Sequence, residues 1–379
     1  MAIEFAESAR STVGIEWELM LVDGRGELAP EAPALLAALG DRPGITAELL
    51  TNTAEVTSDA RATVGEAVAD IRSRIRALRE VAEPRGVGLL SAGSHPFALW
   101  HDQRVTEKTR YHKLVERTQW WGRNMMIWGI HVHVGVDDRS KVIPILNEIT
   151  TYLPHLQALT ASSPFWAGER TGYASNRALV FQQLPTAGLP WELSDWQGFE
   201  RYVDDLVRTG VIDDATEVRW DVRPAPRWGT LEVRACDAVS NPAELAAIAA
   251  LVQCLVEWCS RRLDAGERFQ PLQPWYHREN KWRAARYGLD VITIVDRQAR
   301  EVTVREHLAE LLPELESIAR ELGCERELAG VRRILEHGAG YERQLRVAAE
   351  QDEDLTAVVR MLRDEFDAER PLGSAGQPL

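Results

Sequence analysis

Positive charge is scarce in this chain: 44 lysines and arginines face 58 aspartates and glutamates, leaving a formal net charge of −14. No basic run offsets that deficit, so a nucleic-acid partner, which needs a basic face against the phosphate backbone, is excluded. An anionic small molecule must instead be held by arginines gathered locally. Cysteine is scarce too. Cys236, Cys254, Cys259 and Cys324 form no CxxC pair, which fits a reducing compartment. The opening MAIEFAESAR carries acids where a secretory leader has a basic stretch followed by an apolar one, so a reducing cytoplasm is the expected address. Long apolar runs are lacking. The richest, 245–256, is interrupted at Gln253 and bounded by Glu244 and Glu257, well short of the ~20 residues of a bilayer span; a buried helix and no membrane contact are expected there. The phosphate-loop pattern GxxxxGK[ST], the dinucleotide turn GxGxxG and the nucleophile elbow GxSxG are all missing. A nucleotide, if used, is therefore held by metal and arginine, and covalent catalysis by the protein is not expected.

What is present is material for a core: 379 residues, 45% hydrophobic and 27% charged, enough for one large or two intimate domains. Residues 12–23 alternate, with Ile15, Trp17, Leu19 and Leu21 on one side and Gly14, Glu16, Glu18 and Met20 on the other, which predicts a strand. Val68, Ile71, Ile75 and Leu78 predict a helix over 65–83, followed by a strand over 88–94 that ends in His95-Pro96-Phe97. A helix over 110–126 leads into a second alternating strand over 129–136. The stretch 160–190, rich in Ser, Gly, Pro and Thr, has no period and suits loops that close over a ligand. A third strand over 229–236 precedes Asn241-Pro242, a cap and first-turn pair opening a helix to about Leu263. Beyond Glu301 the pattern is helical, with breaks near Gly323 and Gly338. A main domain over 1–300, a helical part over 301–370 packed on it and a loose tail over 371–379 are expected.

Glu16 and Glu18 lie two residues apart on one strand, so their carboxylates emerge on the same face roughly 7 Å apart, and two like charges there call for a cation. His131 and His133 repeat that geometry, with Ile130, Val132 and Val134 turned the other way. Glu232 and Arg234 do so on the third strand. Carboxylates with an imidazole suit magnesium or manganese, whereas His-x-His on its own fits zinc equally well. Glu48 and Glu55 would join the set only if the segment between them bends, since seven residues place them on opposite faces of a regular strand. Arg110, Arg177, Arg223, Arg227, Arg234 and Arg286 lie in or beside these strands and loops, where guanidinium forks suit phosphate and carboxylate oxygens. Trp17, Trp120, Trp121, Trp128, Trp220, Trp228 and Trp282 read as core and pocket-wall residues.

The segments GIEWELMLVD, HPF, GIHVHVGVD, WDVRP, GTLEVRACD and ENKWRAARYGLD, in that order, resemble the type 2 glutamate-cysteine ligase family of carboxylate-amine ligases. GTLEVRACDAVSNP is more distantly similar to the Glu-x-Arg strand and following helix start of glutamine synthetase. The resemblance implies an α+β, glutamine-synthetase-like fold: a curved antiparallel sheet with helices on its convex side and a helical C-terminal part. It implies ATP with magnesium, or manganese, on the concave face. By motif match, Glu16, His131 and Glu232 would form one metal site and Glu18, Glu48 and Glu55 another. Arg234 and Arg223 would belong to the catalytic machinery, and Arg177, Arg227, Arg286 and His133 would contact nucleotide or carboxylate. The implied substrates are a small carboxylate, L-glutamate by resemblance, and an amine or amino acid such as L-cysteine, joined through an acyl phosphate in a protein that could be a homodimer. The alternatives are a zinc hydrolase built on the His-x-His strand and a non-catalytic nucleotide-binding regulatory homologue.

Overall fold

A computed structural model of the chain describes residues 2–373 and 376–377. The centre is a seven-stranded sheet, antiparallel at every pairing, formed by β1 (Val13–Val22), β2 (Ile45–Ala47), β3 (Thr53–Thr57), β4 (Gly88–Leu90) and β5 (Gly129–Gly135). Two further short strands, β6 (Phe165–Trp166) and β7 (Glu169–Arg170), make a separate hairpin, while β8 (Val222–Ala225) and β9 (Thr230–Asp237) complete the sheet. The order is β2-β3-β1-β5-β9-β8, with β4 pairing the far end of β1.

Alternation decides which face is core. Ile15, Trp17, Leu19 and Leu21 of β1, Ile130, Val132 and Val134 of β5, and Leu231 and Val233 of β9 are all fully buried. Helices cover that face, because a half-apolar sheet must bury one side against other elements. The helix Val64–Ala82 starts in a capping box, Thr63 with Glu66, and packs on β1 and β3. The helix Pro242–Asp264 starts as expected, the Asn241 side chain accepting from the Glu244 N–H at 3.0 Å. It ends at Asp264, as expected, and its 23 residues would by length suffice to cross a bilayer, yet 83% of its apolar stretch is buried inside the protein. It is the central helix of the core, touching β1, β5 and the helices Val304–Glu321 and Gly330–His337.

The C-terminal helices are fastened by charge as well as by packing. Arg343, 2% exposed, donates from Nε to Glu365 Oε1 and lies equally close through Nη1 to Glu244 Oε1, both at 2.8 Å. That links the helices Gly340–Glu350 and Leu355–Ala368 to the start of the central helix. Leu372 is buried and donates its N–H to Glu365 Oε1 at 3.1 Å. The loose tail expected over 371–379 lies partly outside the described residues, at 374, 375, 378 and 379.

Two expected stretches differ. The single helix over 110–126 is two, Thr109–Thr118 and Trp120–Arg123, broken at Gln119 with φ +50°. The break folds the second helix back on the first so closely that a Cβ at Gly122 would strike the Thr118 hydroxyl. The stretch 160–190 contains the β6–β7 hairpin and the helix Asn176–Phe181, capped by Ser175, elements too short to show a period. The tryptophans divide: Trp17, Trp128 and Trp220 are core, whereas Trp120, Trp121, Trp228 and Trp282 are exposed.

His95, the first residue of the HPF segment, is held neutral in one tautomer. Its Nε2–H donates to Gly26 O at 2.9 Å, and its Nδ1 accepts from Ala98 N–H at 3.1 Å. Burial pushes its pKa down to about 4, so the unfolded chain takes up this proton first. The stability it contributes is full above the unfolded value of about 6.5 and is lost as the pH falls toward 4. Relative to His95→Asn, the wild type is expected to lose roughly 3 kcal/mol between pH 7 and 4. Urea midpoints of the two proteins across that range check it, and parallel profiles would refute it.

Candidate active site

The uncovered face of the sheet carries the charged residues, and strand register brings them together. Glu55 of β3 stands opposite Glu18 of β1, Glu16 opposite His131 of β5, and His133 opposite Glu232 of β9, which in turn faces Arg223 of β8. Directly opposed side chains on one face are within contact range. An irregularity in the β5–β9 ladder, between Ile130 and Val132, sets an extra residue on β9 where Arg234 lies. A bulge of this kind re-aims a side chain locally, and Arg234 faces the cavity beside Glu232.

Glu16 Oε2 lies 2.6 Å from His131 Nδ1, and His131 Nδ1 lies 3.9 Å from Glu232 Oε1. One donor atom from each of Glu16, His131 and Glu232 falls within 4.8 Å of the others. His133 Nε2 sits 3.3 Å from Glu16 Oε1 and 3.8 Å from Glu232 Oε2, while its Nδ1 bonds the Thr230 hydroxyl at 3.0 Å. Arg223 grips Glu232 with Nε at 2.6 Å and Nη2 at 3.2 Å, and Arg234 Nη1 adds a third contact at 3.3 Å. Burial opposes charge on Glu232, but Arg223, Arg234 and the two histidines outweigh it and hold the carboxyl at about 2. The Glu16 carboxyl is held well down too: burial opposes, and the His131 and His133 hydrogen bonds win.

A second acidic group lies alongside. Glu18 accepts from the Gly129 N–H at 2.5 Å, Glu48 from the Leu49 N–H at 3.1 Å and Glu55 from the Thr46 hydroxyl at 3.1 Å. The segment between Glu48 and Glu55 turns back on itself, β2 pairing with β3, which is the bend the seven-residue spacing requires. These carboxylates repel. Burial and the charge of Glu48 push Glu18 up to about 7, and Glu55 is raised well above its ordinary value by burial and by Glu48, Glu16 and Glu18. Burial raises Glu48 as well, against Arg110.

The cavity these groups line has a volume of about 760 Å³. Arg177 enters it from the Asn176–Phe181 helix and is 3% exposed. The guanidinium groups of Arg177 and Arg234 lie 5.5 and 5.4 Å from the Phe181 ring centroid, and each has a buried Nε with no hydrogen-bond partner among the described residues. A buried guanidinium with an unmet donor beside a cavity is suited to an incoming anion. Arg110 reaches the same cavity. Arg227 and Arg286 do not line it. Arg227 stacks on Trp228 at 5.0 Å, and Arg286 donates to Gly172 O and lies over the rings of Tyr173 and Tyr287. Proximity along the chain had grouped them with the strand arginines, but ring stacking and the loop carbonyl hold them elsewhere.

Sequence reasoning missed Tyr111, whose hydroxyl lies 3.4 Å from Glu48 Oε2, and the cavity-lining Lys113, Arg117 and Arg219. For Arg219 a signal was available: it precedes Arg223 by four residues, as Glu16 precedes Glu18 by two, in a run that alternates polar and apolar. The others come from a helix whose orientation the sequence does not fix.

The sequence pattern of the family described as "Glutamate-cysteine ligase family 2(GCS2)" fits residues 12–361. A protein of Leifsonia xyli subsp. xyli named "Putative glutamate--cysteine ligase 2" is 57% identical over 370 residues, 96% of this chain and 98% of that one. Among solved structures, glutamate–cysteine ligase of Francisella tularensis in complex with AMP superposes with a TM-score of 0.70 at 15% identity, covering 96% of this chain and 90% of that chain. A bifunctional glutathione synthetase from Pasteurella multocida gives 0.67 at 17% identity, covering 94% of this chain and 52% of that chain. The α+β fold is shared with these ligases, and the chain belongs to glutamate–cysteine ligase family 2.

Proposed function

We propose that this ligase joins a small carboxylate to an amine at the expense of ATP, through an acyl phosphate, with glutamate as the carboxylate and cysteine or another amino acid as the amine. The observation that carries this reading is the convergence of Glu16, His131 and Glu232 within 4.8 Å, next to a second set of crowded carboxylates. Such crowding fits bound divalent cations. Glu16, His131 and Glu232 would hold one magnesium ion, and Glu18, Glu48 and Glu55 another, because oxygen-rich sets with one imidazole suit a hard ion. Bound there, magnesium supplies charge neutralisation for the nucleotide's phosphates.

The chain's own cations do the rest. The first step brings a carboxylate anion to the γ-phosphorus of ATP; the bond to ADP breaks as the new phosphorus–oxygen bond forms. Repulsion between the two anions is the chief obstacle, and Arg223 and Arg234, fixed against Glu232, lower it without reorganising. Arg177, with its free Nε, binds and orients an anionic oxygen of one substrate. The amine then attacks the acyl carbon, phosphate departs and the nitrogen loses its proton. Bound AMP in the Francisella tularensis structure supports a nucleotide here. A zinc hydrolase is not favoured, since carboxylates outnumber imidazoles around His131. In a screen of carboxylates and amines with magnesium and ATP, phosphate release is expected only with both substrates present. Release that ignores the amine would refute amide formation.

A further inference from the structure

Asp237 ends β9 three residues after Arg234, is fully buried and takes no part in the chemistry above. Both of its carboxylate oxygens are committed. Oδ2 accepts from the Ser162 N–H at 3.0 Å and from the Ser163 hydroxyl at 2.7 Å, and Oδ1 accepts from the Ser175 hydroxyl at 2.7 Å. Each of those hydroxyls passes the constraint on. Ser163 Oγ accepts the Arg177 N–H at 3.0 Å, and Ser175 Oγ caps the short helix by accepting the Ala178 N–H at 3.3 Å. Gly93 packs directly on the carboxylate, where an added Cβ would lie 2.5 Å from Oδ2. The Arg177 side chain leaves this anchored turn to lie against Gly129 and over Phe181, its Nη2 3.4 Å from the Arg234 carbonyl.

A helix of six residues has little stability of its own. It holds a buried cation beside Arg234 only if its first turn is pinned from outside. We propose that Asp237 is a positioning residue that, through Ser163 and Ser175, sets the place of the Arg177 guanidinium and so the affinity for the anionic substrate group it grips. The substrate part of this inference rests on the ligase reading above; the structural part does not.

The test uses Ser163→Ala, which removes one relay with little risk to the core, Asp237→Asn, which keeps the shape but presents N–H groups where two donors need an acceptor, and Arg177→Gln. Crystal structures of the first two are expected to show the Arg177 guanidinium displaced from the Phe181 ring; an unmoved side chain overturns the proposal whatever the protein catalyses. In steady-state kinetics, both variants are expected to raise KM about tenfold for the one substrate whose KM Arg177→Gln also raises, with kcat changed much less. Combining Asp237→Asn with Arg177→Gln should add nothing further, since both act through one group. Equal changes for all substrates, or a double variant that multiplies the single effects, would mark Asp237 as a core residue only and refute the positioning role. Wild-type protein that turns over no carboxylate–amine pair would refute the ligase reading instead, leaving the crystallographic result to decide.

Discussion

Glu232→Ala is expected to reduce ATP turnover by a factor of roughly 10³ or more. Glu232 is 1% exposed and meets both arginines and both histidines of the face, so His131 and His133 of β5, Arg223 of β8 and Arg234 of β9 are organised around it. Its removal takes one donor from the candidate metal set and unties Arg223 and Arg234, which must be fixed before phosphoryl transfer to be of use. Alanine also leaves two half-buried guanidinium groups without their anion, a change that destabilises proteins by about 3–5 kcal/mol when the partner is deeply buried. Glu232→Gln separates the two effects. The amide keeps an acceptor oxygen for Arg223 and the volume of the side chain, so the thermal transition is expected to stay closer to wild type while turnover remains lost. Circular dichroism and ADP release measured on both variants decide the matter, and near-normal turnover in either would remove the site from the mechanism.

The reach of the sequence is uneven, for physical reasons visible at particular residues. β1, β5 and β9 were legible because each buries one face and charges the other, so a period of two exposes both the strand and the residues aimed at the cavity. Glu16, Glu18, His131, Glu232 and Arg234 all meet on that face. The bulge that aims Arg234 was not legible, since it depends on how β9 pairs with β5 rather than on β9 itself. β2 and β8, of three and four residues, are too short to show alternation, and the hairpin joining Glu48 to Glu55 could be inferred only as a necessity. Arg227 and Arg286 show the opposite limit, since neither lines the cavity. An arginine's long stem lets it reach far from its backbone, so a position beside a motif does not fix where the charge goes. Arg227 lies in the single helical turn Pro226–Trp228 and stacks on the ring of its neighbour Trp228. The Asp237 network was hidden for a related reason: its serines lie in the aperiodic stretch 160–190, where no pattern distinguishes a loop from a buried hydroxyl relay.

Glu55→Gln is expected to make the metal-free protein more stable and the enzyme much worse. Most substitutions of a partly buried charged group destabilise, because they leave a partner unpaired. Glu55 is different, for it shares its space with Glu48, Glu16 and Glu18 and, among the described residues, receives only the Thr46 hydroxyl in return. An amide of the same shape removes one of the mutually repelling charges and can still accept from Thr46. The expected result is a thermal midpoint a few degrees higher than wild type in the presence of a chelator. Magnesium should reverse the order. In the wild type the cation relieves the repulsion and raises the midpoint, as a ligand that binds only the folded state must, whereas the variant has lost one of its oxygen donors and should respond weakly. Turnover is expected to fall about 10²-fold or more even at saturating magnesium, since an interaction that stabilises the transition state is gone. Differential scanning fluorimetry of both proteins, with chelator and along a magnesium titration, reads the crossing directly. A variant less stable than wild type without metal would mean that the three glutamates are held apart by the protein itself. In that case nothing in their arrangement would call for a second cation.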